Sequence, residues 1–203
     1  MDSRKSLAVE NFENIAVIRF TRPEIKNPLS IETLRKLKAI FTAFESNPNV
    51  ETIIFTGSGD TFASGANLKE IADTNADNAR EFALRGQSLM QKIYHSHKTT
   101  VAAIDGFCMG GALDLALSCK VRIASPRSVF AHPGVGLGII TGWGGTQLLP
   151  RLIGQARALE MLLTAERFDA DAAFQIGLID RIEAHPLEFA LANYGAKKSS
   201  IDL

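Results

Sequence analysis

Three clusters of glycine and small residues are the parts of this sequence best suited to chemistry. They lie at residues 62–68, 106–111 and 134–145. Glycine lets the backbone approach a ligand closely, and a helix that begins just after such a loop offers free N–H groups to an anion. Gly110 and Gly111 are predicted to open such a helix. Two of these loops, brought together, can aim two peptide N–H groups at one carbonyl oxygen and stabilise an oxyanion or enolate as it forms.

Other well-known glycine or cofactor motifs do not explain the clusters. There is no GxxxxGK[ST] phosphate loop, and the Gly134-x-Gly136-x-Gly138 pattern lacks the spacing of a dinucleotide fingerprint. A GxSxG nucleophile elbow is also absent. The segment 95–98 holds two histidines beside a lysine, but no further ligands are apparent nearby. We therefore expect no metal site and no cofactor of the protein's own.

The elements that must position these loops are short β-rich runs alternating with longer helical patterns, which favours an α/β or α+β fold. Each glycine cluster follows a plausible strand. Strands are predicted at Ile15–Phe20, Thr52–Thr56, Val101–Asp105 and Val121–Ala124. One helix is predicted to begin after its cap residue, Ser30, and to end before Asn47. Three more are predicted over about 77–94, 146–153 and 155–164.

Composition and charge narrow the class of protein. The chain has 203 residues, which suggests one domain, and 46% of them are hydrophobic, as in ordinary globular proteins. Lys plus Arg equals Asp plus Glu at 22 each, so no net charge attracts nucleic acid or anionic lipid. No apolar run approaches the roughly 18 residues of a membrane span. We expect a cytoplasmic protein with no nucleic-acid or membrane partner, in which Cys108 and Cys119 are buried, reduced thiols.

The three clusters, in this order and with these neighbours, resemble the crotonase superfamily, also called the enoyl-CoA hydratase/isomerase family. The matching segments are 22–23, 27–29, 62–71, 101–124, 143–154 and 176–182. The resemblance implies a spiral of repeated ββα turns, assembled as a homotrimer or a dimer of trimers. It also implies an acyl-CoA thioester as the substrate, with coenzyme A arriving as part of that substrate.

The resemblance also implies roles for individual residues. The backbone amides of Ala66, after Gly65, and of Gly111, after Gly110, would polarise the thioester carbonyl. Asn67 stands where the family usually has an aspartate, which removes a charge. The remaining residues expected to contact the substrate or its coenzyme A are Ser64, Asn67, Leu68, Lys69, His132, Gly142 and Trp143.

The chain departs from the family at both acid/base positions. Hydratases of the family use two glutamates, but Asp114 occupies the first position and Gly134 the second. Asp114 keeps a carboxylate on a shorter side chain, although an acidic residue in a first helical turn also has a purely structural use. Some relatives with glycine at the second position use a bound bicarbonate, yet they carry an aspartate where this chain has Ile140. His132 is the nearest titratable residue and is a candidate proton donor.

Three functions stay open at this point. The first is an enoyl-CoA hydratase/isomerase-type enzyme with altered acid/base residues, and the second is a decarboxylase of malonyl-type thioesters or another lyase of the superfamily. The third is a catalytically silent acyl-CoA-binding or assembly protein. It is suggested by Gly134, which offers no acid/base side chain, and by the early end of the chain. We expect a single crotonase-like domain with a spiral core at 1–184 and only a short, truncated tail at 185–203.

Overall fold

Two β-sheets with their connecting helices make up residues 5–195, the part of the chain that the computed structural model describes. The strands are β1 (Leu7–Phe12), β2 (Ile15–Phe20), β3 (Thr52–Thr56), β4 (Thr61–Ala63), β5 (Thr99–Ile104), β6 (Phe107–Met109), β7 (Val121–Ala124), β8 (Val129–Ala131), β9 (Phe168–Asp169) and β10 (Arg181–Ile182). The helices are α1 (Ile31–Glu45), α2 (Leu68–Ala72), α3 (Ala79–Tyr94), α4 (Gly111–Ser118), α5 (Gly145–Ile153), α6 (Gln155–Thr164), α7 (Ala170–Gln175) and α8 (Pro186–Tyr194). Short 3₁₀ helices span Pro23–Ile25 and Pro133–Leu137.

The chain winds through the two sheets in repeated β-β-α units. The larger sheet has the order β1-β2-β3-β5-β7-β10, and the smaller has the order β4-β6-β8-β9. Each of the pairs β3–β4, β5–β6 and β7–β8 places its first strand in the larger sheet and its second in the smaller, and a helix follows. Neighbouring strands are parallel except for β1 with β2 and β8 with β9. This winding confirms the predicted α/β class and ββα repeat.

Helix α1 shows how a short sequence signal fixes one layer of the fold. Its predicted cap is confirmed, since the Ser30 hydroxyl accepts a hydrogen bond from the Thr33 N–H at 3.2 Å. The helix buries the apolar face expected from its period, including Leu34 and Leu37. Phe41 stacks on Phe55 of β3 with 5.9 Å between ring centroids. The helix is thereby held against the larger sheet.

Most predicted boundaries are confirmed, and one strand is wrong at both ends. The strands at 15–20, 52–56 and 121–124 and the helix at 155–164 have the predicted bounds. Strand β5 instead runs from Thr99 to Ile104, because Thr99 and Thr100 continue its parallel register with β3. Asp105 has left the sheet and forms an ion pair with Arg127. Helix α3 begins at Ala79, two residues later than predicted.

Helix α8 closes one face of the larger sheet. Its Ala190 packs in a second apolar cluster with Val17, Ile54 and Val101 of β2, β3 and β5. The Thr52 hydroxyl donates a hydrogen bond to the carbonyl of Tyr194 at 2.6 Å. The segment predicted as a short tail therefore contributes one core helix, whereas residues 196–203 lie outside the described part of the chain.

Two further sequence predictions can be compared with the structure. Cys108 and Cys119 are buried and unpaired, as predicted. Among the helices of residues 5–195, none is both long enough and apolar enough to cross a membrane.

Candidate active site

A cavity of about 340 Å³ lies where the three glycine clusters meet. Its walls are mostly apolar, and Asp114 and His132 are the titratable residues among those that line it. The predicted site residues that line it are Ser64, Ala66, Leu68, Gly110, Gly111, Asp114, His132, Gly134, Gly142 and Trp143. Gly65, Asn67 and Lys69, also predicted, lie beside this wall without lining it.

The first two clusters are locked together by a close approach at Gly65. This residue has φ +89°, and a Cβ there would lie 2.6 Å from the Met109 carbonyl oxygen and 2.8 Å from the Gly111 nitrogen. Only glycine fits such a contact without moving backbone. The Leu29 N–H donates to the Gly65 carbonyl at 2.8 Å, and the Gly110 N–H donates to the Ala131 carbonyl at 2.9 Å. The backbone of both loops is therefore fixed.

The two amides singled out by the sequence have no hydrogen-bond acceptor among residues 5–195. Gly111 is the first residue of α4, whose first-turn N–H groups have no intrahelical acceptor. Ala66 forms an isolated β-bridge with Leu29, but the hydrogen bond there runs from the Leu29 N–H to the Gly65 carbonyl and does not use the Ala66 N–H. Within residues 5–195 neither the Ala66 nor the Gly111 amide donates a hydrogen bond. Both residues line the cavity, so two unused donors come from adjoining loops.

Asp114 is a buried carboxyl on the first turn of α4, with only 1% of its surface exposed. Burial raises the pKa of this carboxyl from its usual 3.8 to about 7, although the Thr141 hydroxyl and the backbone N–H groups of Trp143 and Gly145 act in the opposite direction. Its Oδ2 accepts a hydrogen bond from Thr141. A Cβ at Gly145 would lie 2.3 Å from Oδ1, so the carboxyl rests against the start of α5. A carboxyl with a pKa near neutrality can both give and take a proton.

His132 is the other buried titratable group of the cavity. Its Nε2 lies 3.6 Å from Asp114 Oδ1, slightly beyond hydrogen-bond distance. Within residues 5–195 neither ring nitrogen has a hydrogen-bond partner, and Asp114 Oδ1 also has none. Burial lowers the pKa of the imidazole to about 4, so it is neutral at pH 7. Three polar atoms are thus buried side by side without hydrogen-bond partners. Such burial lowers the stability of the fold and is typical of functional sites.

Gly134 does not leave open space in the direction of a missing side chain. A Cβ built there would lie 2.8 Å from the carbonyl oxygen of Ile139. The Ile139 N–H donates back to the Gly134 carbonyl at 3.0 Å, which closes a tight turn around the 3₁₀ helix. A longer side chain at this position would therefore require the turn to open.

The residues of the first cluster beyond Ala66 have local roles. Asn67 caps α2, because its side chain accepts a hydrogen bond from the Lys69 N–H at 2.9 Å. This capping needs no negative charge, which accounts for an amide at the position. Leu68 and the Lys69 side chain are exposed at the rim.

Comparison with known proteins supplies the deciding observation. A family model described as enoyl-CoA hydratase/isomerase matches residues 10–189. The chain belongs to the enoyl-CoA hydratase/isomerase family. The cavity, its free amides and its buried carboxyl are thus features of a member of this family.

Curated relatives and solved structures agree with this membership. The crotonyl-CoA hydratase of Syntrophomonas wolfei is 41% identical over 179 residues, which cover 88% of this chain and 69% of that protein. The short-chain-enoyl-CoA hydratase of Clostridium acetobutylicum is 35% identical over 178 residues, covering 87% and 68%. The crystal structure of enoyl-CoA hydratase from Bacillus anthracis matches with a TM-score of 0.87 at 33% identity, covering 93% of this chain and 74% of that one.

Sequence reasoning missed several residues that shape this hydratase/isomerase-family site. Thr141 holds the Asp114 carboxyl, and Gly145 makes room for it. Gly86, in the middle of α3, makes room for Trp143. Gly86 could have been found from the sequence. A glycine alone inside a helical pattern weakens the helix, so it often marks a place where another group packs closely against the backbone. The Thr141 contact spans 27 positions and had no such signal.

Within residues 5–195 no group of three potential ligands for a metal is found.

Proposed function

We propose that this protein is an acyl-CoA thioester enzyme that stabilises an enolate, and that it hydrates 2-enoyl thioesters with Asp114 as its acid/base group. The observation that carries the proposal is the meeting of two unused backbone amides and one buried carboxyl in a single cavity. The names of the relatives, which are hydratases of short enoyl-CoA thioesters, agree with it.

The amides of Ala66 and Gly111 would bind the thioester oxygen. Charge develops on this oxygen when electrons move from the substrate's double bond, and fixed N–H donors in an apolar cavity stabilise that charge strongly. The start of α4 at Gly111 adds a favourable dipole for negative charge. Coenzyme A would extend along Ser64, Leu68 and Lys69, where the exposed Lys69 ammonium is available to a phosphate group. We also propose a homotrimer or a dimer of trimers, as the family resemblance implies.

The Asp114 carboxylate would act as base and then as acid. It accepts a proton from water while the water oxygen bonds to C3, and the C2=C3 electron pair moves to the thioester oxygen. The enolate then collapses as the Asp114 carboxylic acid returns the proton to C2, so atoms and charge balance over the cycle. A pKa of about 7 suits both steps near neutral pH. His132, 3.6 Å from the carboxyl, would stay neutral throughout.

Decarboxylation of a malonyl-type thioester is a second candidate. It is favoured by Gly134, because the turn there provides no second carboxyl and is closed by the Ile139 carbonyl. Loss of CO₂ breaks the bond between the α-carbon and the carboxylate, and its electron pair forms the enolate without any base. Asp114, as a neutral acid, would then protonate the α-carbon and recover its proton from water.

One set of assays tests these proposals. The purified chain is given crotonyl-CoA and, separately, a malonyl-type thioester, with and without added bicarbonate, and products are identified by mass spectrometry. We expect 3-hydroxyacyl-CoA from the first, and a drop of about 10²–10⁴-fold in Asp114→Asn for loss of a positioned acid/base group. Asp77→Asn, at an exposed site, serves as the matched control.

The possible results are clearly separated. Product from only the malonyl-type thioester would replace hydration by decarboxylation. Activity only with bicarbonate would assign the base to that ion. Acyl-CoA binding without any turnover would identify a silent binding protein, and full activity of Asp114→Asn would refute the role of its carboxyl.

A further inference from the structure

A second cavity, of about 440 Å³, adjoins the active-site cavity. The two cavities share only the residues Gly142 and Trp143 in their walls. The side chains of the second cavity come from the C-terminal half of α3 and from α5, and they include Met90, Tyr94, Leu148 and Arg151. Trp143 therefore forms a partition with space on both sides.

The indole of Trp143 is held tightly in this position. Its ring lies between two helices at places where each has a glycine: a Cβ at Gly86 would be 2.2 Å from ring carbon Cγ, and one at Gly111 would be 2.4 Å from Cε3. Phe82 packs on the ring with 5.7 Å between centroids. The adjoining backbone is tied to α3, since Gln87 Nε2 donates to the Gly142 carbonyl at 2.8 Å. With 3% of its surface exposed, the residue fits as a rigid wall.

This wall stands beside the proposed reaction centre. Gly111 offers the N–H for the thioester oxygen, and the six-membered edge of the indole rests on the same residue. Because the indole edge touches Gly111, an acyl group held by that amide through its carbonyl would start close to the indole. Beyond the indole the second cavity has room for a longer chain, which would lie along Met90 and Leu148. The rest of its wall is mostly polar and includes Gln87, Gln91, Gln147 and Arg151.

We propose that Trp143 sets the upper limit on acyl length, so that the protein selects short-chain acyl thioesters by closing the active-site cavity off from the second cavity. This inference rests on the proposed binding of acyl-CoA. The indole acts here as a specificity-determining residue, because it excludes the chain end and takes no part in proton transfer.

The test measures binding, which does not depend on turnover. Dissociation constants of butanoyl-CoA and octanoyl-CoA are measured by calorimetry for the full chain, Trp143→Ala, Trp143→Phe and Tyr94→Ala. Tyr94 lines only the second cavity and is half exposed, so Tyr94→Ala is the control for loss of an aromatic ring. Circular dichroism establishes that each variant is folded.

We expect the unmodified chain and Tyr94→Ala to prefer butanoyl-CoA. Each additional buried methylene is worth roughly fourfold in affinity, so Trp143→Ala should shift the ratio toward octanoyl-CoA by about tenfold or more. Trp143→Phe, which keeps part of the ring, should shift the ratio in the same direction by a smaller factor, and it decides the question if Trp143→Ala does not fold.

An unchanged ratio in a folded Trp143 variant would overturn the partition while leaving acyl-CoA binding intact. Equal affinity of the unmodified chain for both thioesters would do the same. If the unmodified chain bound neither thioester, the proposed function itself would fail, and this inference with it.

Discussion

Replacing Gly65 with alanine should separate the two amide donors without changing either of the residues that carry them. The added Cβ would lie 2.6 Å from the Met109 carbonyl oxygen and 2.8 Å from the Gly111 nitrogen, both of which are backbone atoms that cannot rotate away. The loop carrying Ala66 must therefore move away from the start of α4. The backbone itself resists the change, because φ is +89° at this position.

The size of the effect follows from these two terms. An alanine held at positive φ costs about 1–2 kcal/mol, so the free energy of unfolding should fall by at least that amount. Loss of one aligned oxyanion donor typically lowers turnover by about 10²–10³-fold. Gly136→Ala is the matched control, since a Cβ at Gly136 meets no atom within 4 Å and its φ is not positive.

The assay combines urea unfolding with a direct probe of enolate binding. Acetoacetyl-CoA forms an enolate with a distinct ultraviolet absorbance, and two amides on its thioester oxygen would favour that enolate in the bound state. We expect the bound enolate fraction and any turnover to fall sharply in Gly65→Ala and to persist in Gly136→Ala. A folded Gly65→Ala protein that kept both within about threefold would refute the reasoning, since a lost donor costs far more.

Three further predictions concern stability. Arg122→Ala should lower the free energy of unfolding by about 2–4 kcal/mol, because this buried guanidinium donates to the Leu178 and Cys119 carbonyls and pairs with Asp180. The control Arg181→Ala, at an exposed ion pair, should lower it by under about 0.5 kcal/mol. Equal effects of the two changes in urea titrations would contradict the structural role of Arg122. Asp114→Asn should raise the free energy of unfolding relative to the unmodified chain, and this gain should be roughly 2–3 kcal/mol larger at pH 8 than at pH 5, because the Asp114 pKa of about 7 makes ionisation of the folded carboxyl costly. A difference near zero between the two pH values would show that the carboxyl is not desolvated. His132→Leu should raise the free energy of unfolding by about 1–3 kcal/mol, because it removes two buried nitrogens without partners. The gain should be larger at pH 5 than at pH 8, because the lowered pKa of the folded imidazole makes its protonation costly. Destabilisation at both pH values would mean that the nitrogens have partners.

Local patterns in the sequence predicted the framework well, because they report local physics. The cap at Ser30 and the period of α1 are set by residues close in sequence, and both are confirmed. Strand β5 was misplaced because Thr99 and Thr100 owe their strand conformation to pairing with β3, which lies more than 40 residues earlier. Strand β1 was missed for the same kind of reason, since it is stabilised by its antiparallel register with β2.

The candidate site was predictable in its membership and less so in its energetics. Ala66, Gly111 and Asp114 were singled out by the family resemblance, and the structure brings them into one cavity. The burial of Asp114, its hydrogen bond from Thr141 and the closed turn at Gly134 depend on loops that meet only after folding. No pattern within one segment reports such contacts.

Asp114 and His132 have opposite effects on how the stability of the fold depends on pH. Between pH 3.8 and 7 the folded carboxyl holds a proton that the unfolded chain has lost, so Asp114 makes stability fall as pH rises. Between pH 4 and 6.5 the unfolded imidazole holds a proton that the folded one lacks, so His132 makes stability rise. The two slopes are opposite over nearly the same window and offset one another, so stability should stay almost level there, whereas replacing either group should expose the slope of the other.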